Sequence, residues 1–285
     1  MSNSTKKRKP QASNADDTSA TTSKRKSTSA LTGPQDIGIN ELILGGGGAG
    51  GSSVLNGTSA ANELFSRGLT MEILSHACSQ LTAADPLLAP LIAEHGIPER
   101  LLAKGGGAFA SLSKSICFQQ LATKAAATIY GRVLKTCSCE EAGVLDSAAV
   151  LATPQDTLAG AGLSGRKASY LHDLARHFEQ GLLSDELIDS MTAEELQTSL
   201  TAVKGLGPWS VDMFCLFHLG LPDVLPVGDL GVRKGMQTLY SLKQLPSPAE
   251  MEAVAENWRP FRSVGAYYMW RVEVPKAPRA KKKST

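Results

Sequence analysis

Leu200-Thr-Ala-Val-Lys-Gly-Leu-Gly-Pro-Trp-Ser-Val-Asp-Met-Phe214 is the stretch on which the reading of this chain turns. A helix is expected to end at Lys204. Gly205-Leu206-Gly207 then makes a tight turn, in which glycine allows a left-handed backbone without strain. Pro208 stands where proline fits best, in the first turn of a second helix. Leu206 is the apolar plug between the two helices. The turn forms a small concavity of backbone amides at a helix N-terminus, which favours an anion such as a phosphate. Two helices simply packed through a short connector fit the same residues.

Working outward, the chain reads as helices. Apolar residues recur at helical spacing over Leu69 to Leu81, and Ala108 to Gln119 and Leu121 to Lys135 are further candidates. Thr153-Pro154-Gln155-Asp156 predicts a helix start with proline at the first helical position. Lys167 to Gln180 is amphipathic and stops at Gly181. Thr192-Ala-Glu-Glu195 and Ser247-Pro-Ala-Glu250 are capping boxes. Alternating strand patterns are scarce, so the fold expected over residues 61–273 is all-α.

The 285 residues are enough for one large domain or two small ones. The net charge of +2 is too small to name a nucleic-acid partner by itself, but the basic residues cluster at both termini. Residues 1–60 are rich in Ser, Thr, Lys and Ala and poor in aromatics, which predicts a disordered tail. Lys6-Lys-Arg-Lys9 and Lys24-Arg-Lys26 within it suit nuclear import, loose DNA contact or plain solubility, and the compartment expected is the nucleus. The glycines from Gly45 to Gly51 read as a linker, not a phosphate loop, since no Gly-Lys-Ser/Thr follows. Residues 274–285 form a second basic tail. No run approaches the roughly 20 apolar residues of a membrane span. Five scattered cysteines, an odd number without zinc spacing, predict buried thiols and no metal.

Further on stands Leu225-Pro-Val-Gly-Asp-Leu-Gly-Val-Arg-Lys-Gly235. Together with the preceding hairpin it resembles the helix-hairpin-helix/Gly-Pro-Asp superfamily of DNA glycosylases, and within it the alkylation-repair branch, the 3-methyladenine DNA glycosylases. Ser115 to Ala126, Gly162 to Tyr170 and Trp258 to Arg271 strengthen that likeness, which covers about 65–273. It implies two helical lobes, one over 108–220 and one combining 61–107 with 221–273, with the active site between them. It implies a monomer acting on double-stranded DNA that contains damaged bases.

The resemblance also implies roles. The enzyme must extrude the nucleotide from the stack. Gln120 occupies the position of the side chain that fills the gap; alternatively it is a helix-end Gln bonded to backbone. Asp229 would stabilise the positive charge that grows on the sugar and orient water, or serve as the cap of the helix beginning near Leu230. Trp209 and Trp270 correspond to aromatic positions that stack on electron-poor alkylated bases, unless they are core tryptophans. Met213 stands where a well-known bacterial pattern has Tyr, which alters the pocket. Lys204, Arg233 and Lys234 would touch phosphates or be solvated, as the hairpin residues Gly205, Leu206 and Gly207 would hold the backbone. Asp212 reads as structural. Strand-cutting relatives place a Lys nucleophile where this chain has Trp209, so a glycosylase without lyase activity is expected. No cysteine follows Cys215, so neither the relatives' iron–sulfur cluster nor any other cofactor is expected. A glycosylase for oxidised or deaminated bases, and a non-catalytic DNA-binding module, are the alternative readings.

Overall fold

Short-range chemistry sets most helix boundaries. The computed structural model describes residues 68–104 and 107–274, and the tail expectations for 1–60 and, apart from Val274, for 274–285 lie outside them. Thr70, Asp146, Ser164, Ser184, Thr192, Asp229 and Ser247 each accept a backbone N–H at a helix start. Both capping boxes form, with Glu195 and Glu250 returning the bond to the cap residue. Such a cap stabilises a helix by about 1 kcal/mol.

The helices are α1 Met71–Ala84, α2 Ala89–His95, α3 Ala108–Phe118, α4 Thr123–Thr136, α5 Ser147–Ala152, α6 Gln155–Gly160 and α7 Gly165–Glu179. They continue with α8 Asp185–Ser190, α9 Ala193–Thr201, α10 Pro208–Phe214, α11 Leu230–Leu239, α12 Pro248–Ala255 and α13 Arg262–Met269. Among the described residues there is no strand. The Thr153 expectation shifts: Pro154 itself is the cap of α6, and the Thr153 hydroxyl turns back to Ala149 O of α5.

α3, α5 and α6 pack on α7, whose Ala168, Leu171, Leu174 and Ala175 are fully buried, while α4, α8 and α10 pack on α3, and α9 on α10. A second group joins α1 to α2 and α13, and α13 to α11. Its core holds Trp258, which donates its indole N–H to Asp85 (3.0 Å), the acceptor also of the Tyr240 hydroxyl. The groups are stitched by Leu69 N to Gly220 O (2.7 Å) and Lys104 N to His218 O (2.9 Å). All five cysteines are buried and free, as expected.

Candidate active site

Between α10 and α11 the chain leaves a π-turn, Cys215–Leu219, and runs through the Pro226-Val-Gly-Asp229 loop. The foot of that loop is clamped. Arg262 grips the Asp223 carboxylate with two nitrogens, at 2.6 and 3.0 Å, and Ser263 Oγ accepts from Val224 N at 2.9 Å. Such bidentate geometry fixes direction as well as distance.

At the end of the loop Asp229 is 4% exposed. Its Oδ1 accepts from Val232 N (2.8 Å), capping α11, and from Trp270 Nε1 (2.8 Å). Its Oδ2 accepts from Trp209 Nε1 (2.8 Å). One carboxylate is thus both a helix cap and the acceptor of two indole donors, arriving from α10 and from the end of α13. Hydrogen bonds to a charged group contribute about 1.5–3 kcal/mol each, enough to hold this group in one rotamer. Gly231 makes room for the arrangement, since a Cβ there would stand 2.7 Å from Trp270 Cδ1 and 2.9 Å from its Nε1.

Trp209 and Trp270 are half-buried, unlike Trp258, which is the core tryptophan. Trp270 stacks on Phe217, with ring centroids 5.6 Å apart. On α10, Asp212 and Met213 follow Trp209 by three and four residues, a spacing that puts all three on one side of the helix. Met213 is 7% exposed. Asp212 is 9% exposed and accepts from Gln197 Nε2 of α9 at 2.5 Å. Burial pushes its carboxyl up to about 7; the Asp229 charge adds to the rise and the Gln197 bond opposes it.

In the hairpin, the first helix stops at Thr201, three residues before the expected Lys204, and a turn takes over. Gly205 alone in the Gly-Leu-Gly turn is left-handed (φ 87°). A Cβ there would lie 2.2 Å from the Tyr170 ring. Gly207 is extended (φ −99°) with open space around it, so the left-handed backbone that glycine allows in this turn is used at Gly205 alone. Leu206 is buried as the plug between the helices. The Lys204 side chain is 67% exposed and 3.7 Å from Asp173, while Lys204 N donates to Asp173 at 2.9 Å. Burial works to raise the Asp173 carboxyl, but the Lys204 amide, Arg176 and the charges of Lys204 and His177 outweigh it and leave it low. Arg233 is tied to Pro246 O (3.0 Å), an interaction within the fold, and Lys234 is half-buried.

Beside the hairpin, α3 ends at Phe118, and Gln119 and Gln120 follow in a turn. Gln119 Nε2 donates to Gly205 O at 2.9 Å. Gln120 is exposed and left-handed (φ 57°), a conformation that costs a residue with a Cβ roughly 1–2 kcal/mol. The backbone-bonded glutamine is therefore Gln119, and Gln120 is the one presented to solvent. Lys167 Nζ ties this end down, donating to Cys117 O (2.8 Å) and Gln119 O (2.5 Å).

Residues 113–260 match the description HhH-GPD superfamily base excision DNA repair protein. The chain belongs to this superfamily. It is similar to the putative DNA-3-methyladenine glycosylase YfjP of Bacillus subtilis, 32% identical over 108 residues, which cover 38% of each chain. Its fold is similar to that of the DNA-3-methyladenine glycosidase of Bacillus halodurans, with a TM-score of 0.61 at 31% identity over 68% of this chain and 88% of that one. It is similar also to the 3-methyladenine DNA glycosylase of Schizosaccharomyces pombe in complex with abasic DNA. There the TM-score is 0.58 at 29% identity, over 69% of this chain and 95% of that one.

Within this HhH-GPD domain, one helix face went unread in the sequence. Lys167, Tyr170 and Asp173 recur at intervals of three along α7. They support in turn the α3 end, the Gly205 turn and the Lys204 amide. The Gly162–Tyr170 stretch resembled the family, yet only that spacing, read as a face, could have tied it to the hairpin.

Proposed function

We propose that the chain hydrolyses the N-glycosidic bond of alkylated bases in duplex DNA and leaves an abasic site in an intact strand. The observation that carries this reading is the Asp229 carboxylate, held by two indole N–H groups on the faces of which a base could stack. Cleavage of the bond builds positive charge on the sugar, and a fixed carboxylate that needs no reorganisation stabilises it. An alkylated purine is electron-poor and often cationic, so it stacks well on indole and leaves readily. Gln120 fills the vacated place in the duplex. The Gly205–Gly207 turn and Lys204 hold the backbone without reading sequence. Trp209 offers no amine for a Schiff base, so water is the nucleophile.

The names of the relatives support this substrate class. Release of 3-methyladenine or 7-methylguanine from methylated duplex DNA by the purified chain is the test. A protein that binds such DNA and releases no base would be a binding module instead.

A further inference from the structure

Asp212 is a carboxyl group that the reading above does not use. It lies on α10 beside Trp209, nearly buried, with no salt bridge among the described residues. Gln197 Nε2 donates to its Oδ1, and Oδ2 has no hydrogen-bond partner among the described residues. The groups around it are few. The start of α11 brings the negative charge of Asp229. α9 brings Gln197, while Glu194 and Glu195 are exposed at that helix's start. The charged residue of α3, Lys114, lies over the rings of Phe118 and Tyr130. In the π-turn that follows its own helix, His218 stacks on Phe214, and burial pushes the Cys215 thiol up to about 12, so it stays neutral. Burial and a neighbouring anion both favour the protonated acid, and no cation opposes them.

We propose that Asp212 is a proton donor to the departing base, and that it extends this chain's substrates from cationic alkylated bases to neutral ones. The proposal rests on the glycosylase reading. A cationic base carries its own positive charge away on bond cleavage and needs no acid. A neutral purine would leave as an anion, and a protonated carboxyl beside the stacking indole removes that barrier. In the step, the bond between the sugar C1′ and the base nitrogen breaks with its electron pair on the base. The Oδ2 proton of Asp212 passes to the base. Water attacks C1′ and loses a proton to solvent, and solvent returns one to Asp212.

Because the acid must be protonated, release of a neutral base falls as pH rises through the Asp212 range, near 7. The test is single-turnover release with saturating full-length protein, from about pH 5 to about pH 9. The substrates are duplexes containing 7-methylguanine, which is cationic, or hypoxanthine, which is neutral. Wild type should show a falling limb on hypoxanthine and none on 7-methylguanine. Asp212→Asn should lose that limb and lose about 100-fold or more on hypoxanthine, at least tenfold more than on 7-methylguanine. Gln197→Leu breaks the tether and keeps the acid, so its limb should persist and move to higher pH. That variant also serves if Asp212→Asn does not fold.

Equal losses on both bases, a limb that survives in Asp212→Asn, or a limb that Gln197→Leu leaves in place would overturn the proposal. So would wild type that releases 7-methylguanine and no hypoxanthine. Wild type that releases neither base overturns the glycosylase reading itself.

Discussion

Replacing Asp229 by Asn removes one negative charge and one acceptor from a group that accepts three hydrogen bonds. The amide has a single oxygen. Placed at the Oδ1 position, it keeps Val232 N and Trp270 Nε1 and turns its NH2 toward Trp209 Nε1, 2.8 Å away, so two donors face each other. Placed the other way, it forfeits both the helix cap and Trp270. The first arrangement loses less, so Trp209 is the indole that lets go. An orphaned donor costs about 1–3 kcal/mol. At roughly 2–4 °C per kcal/mol for a domain of this size, melting should drop by several degrees. The chemical effect is larger. Removing one well-placed group that stabilises charge in the transition state slows a reaction by about 100- to 1,000-fold, roughly 3–4 kcal/mol. Cationic bases should suffer least and neutral bases most, because the latter rely more on charge stabilisation at the sugar. Affinity for abasic duplex should hold or rise slightly, since a negative charge near the phosphates has gone. The assay is single-turnover base release, with circular dichroism for the fold and anisotropy for binding. Wild-type rates from a folded Asp229→Asn protein would refute the argument and leave Asp229 as a helix cap.

Gly205→Ala should destabilise the fold by about 1–3 kcal/mol in denaturant unfolding, through the Tyr170 ring and the left-handed backbone, whereas Gly207→Ala should leave stability within about 0.5 kcal/mol. Equal stability losses would contradict the assignment of strain to Gly205. Gln120→Gly should keep or raise stability, by up to about 1 kcal/mol in denaturant unfolding, while it lowers single-turnover excision from duplex more than from single strands. Borohydride should trap no covalent adduct between the chain and damaged DNA, because Trp209 replaces the amine; efficient trapping would show a lyase. The folded-state carboxyl of Asp212 is raised from 3.8 to about 7, so the folded state binds the extra proton between those values. Stability should therefore decline as pH rises across that window and level off above it, and Asp212→Asn should remove the decline. Melting curves of the two proteins from about pH 4 to about pH 8 that run parallel would contradict this.

Much of the molecule is decided by residues a few positions apart, and those features were legible in the sequence. A cap and its helix lie within three residues, so the boxes at Thr192 and Ser247 and the cap at Asp229 could be read directly. The hairpin was readable for the same reason, as was the absence of an amine at position 209. The end of its first helix was not, because Asp173, 31 residues away, takes the Lys204 amide into a turn. The pocket is of this second kind. The indoles that hold Asp229 come from 20 and 41 residues away, and helical periodicity says nothing about which donors meet across such a separation. Gln119 and Gln120 are chemically identical neighbours, and only the position of Gly205 O decides which is tied and which is presented. Asp212 read as a structural residue, and its bond to Gln197 agrees with that; its shifted carboxyl arises from burial and from Asp229, two quantities that exist only once the helices have packed.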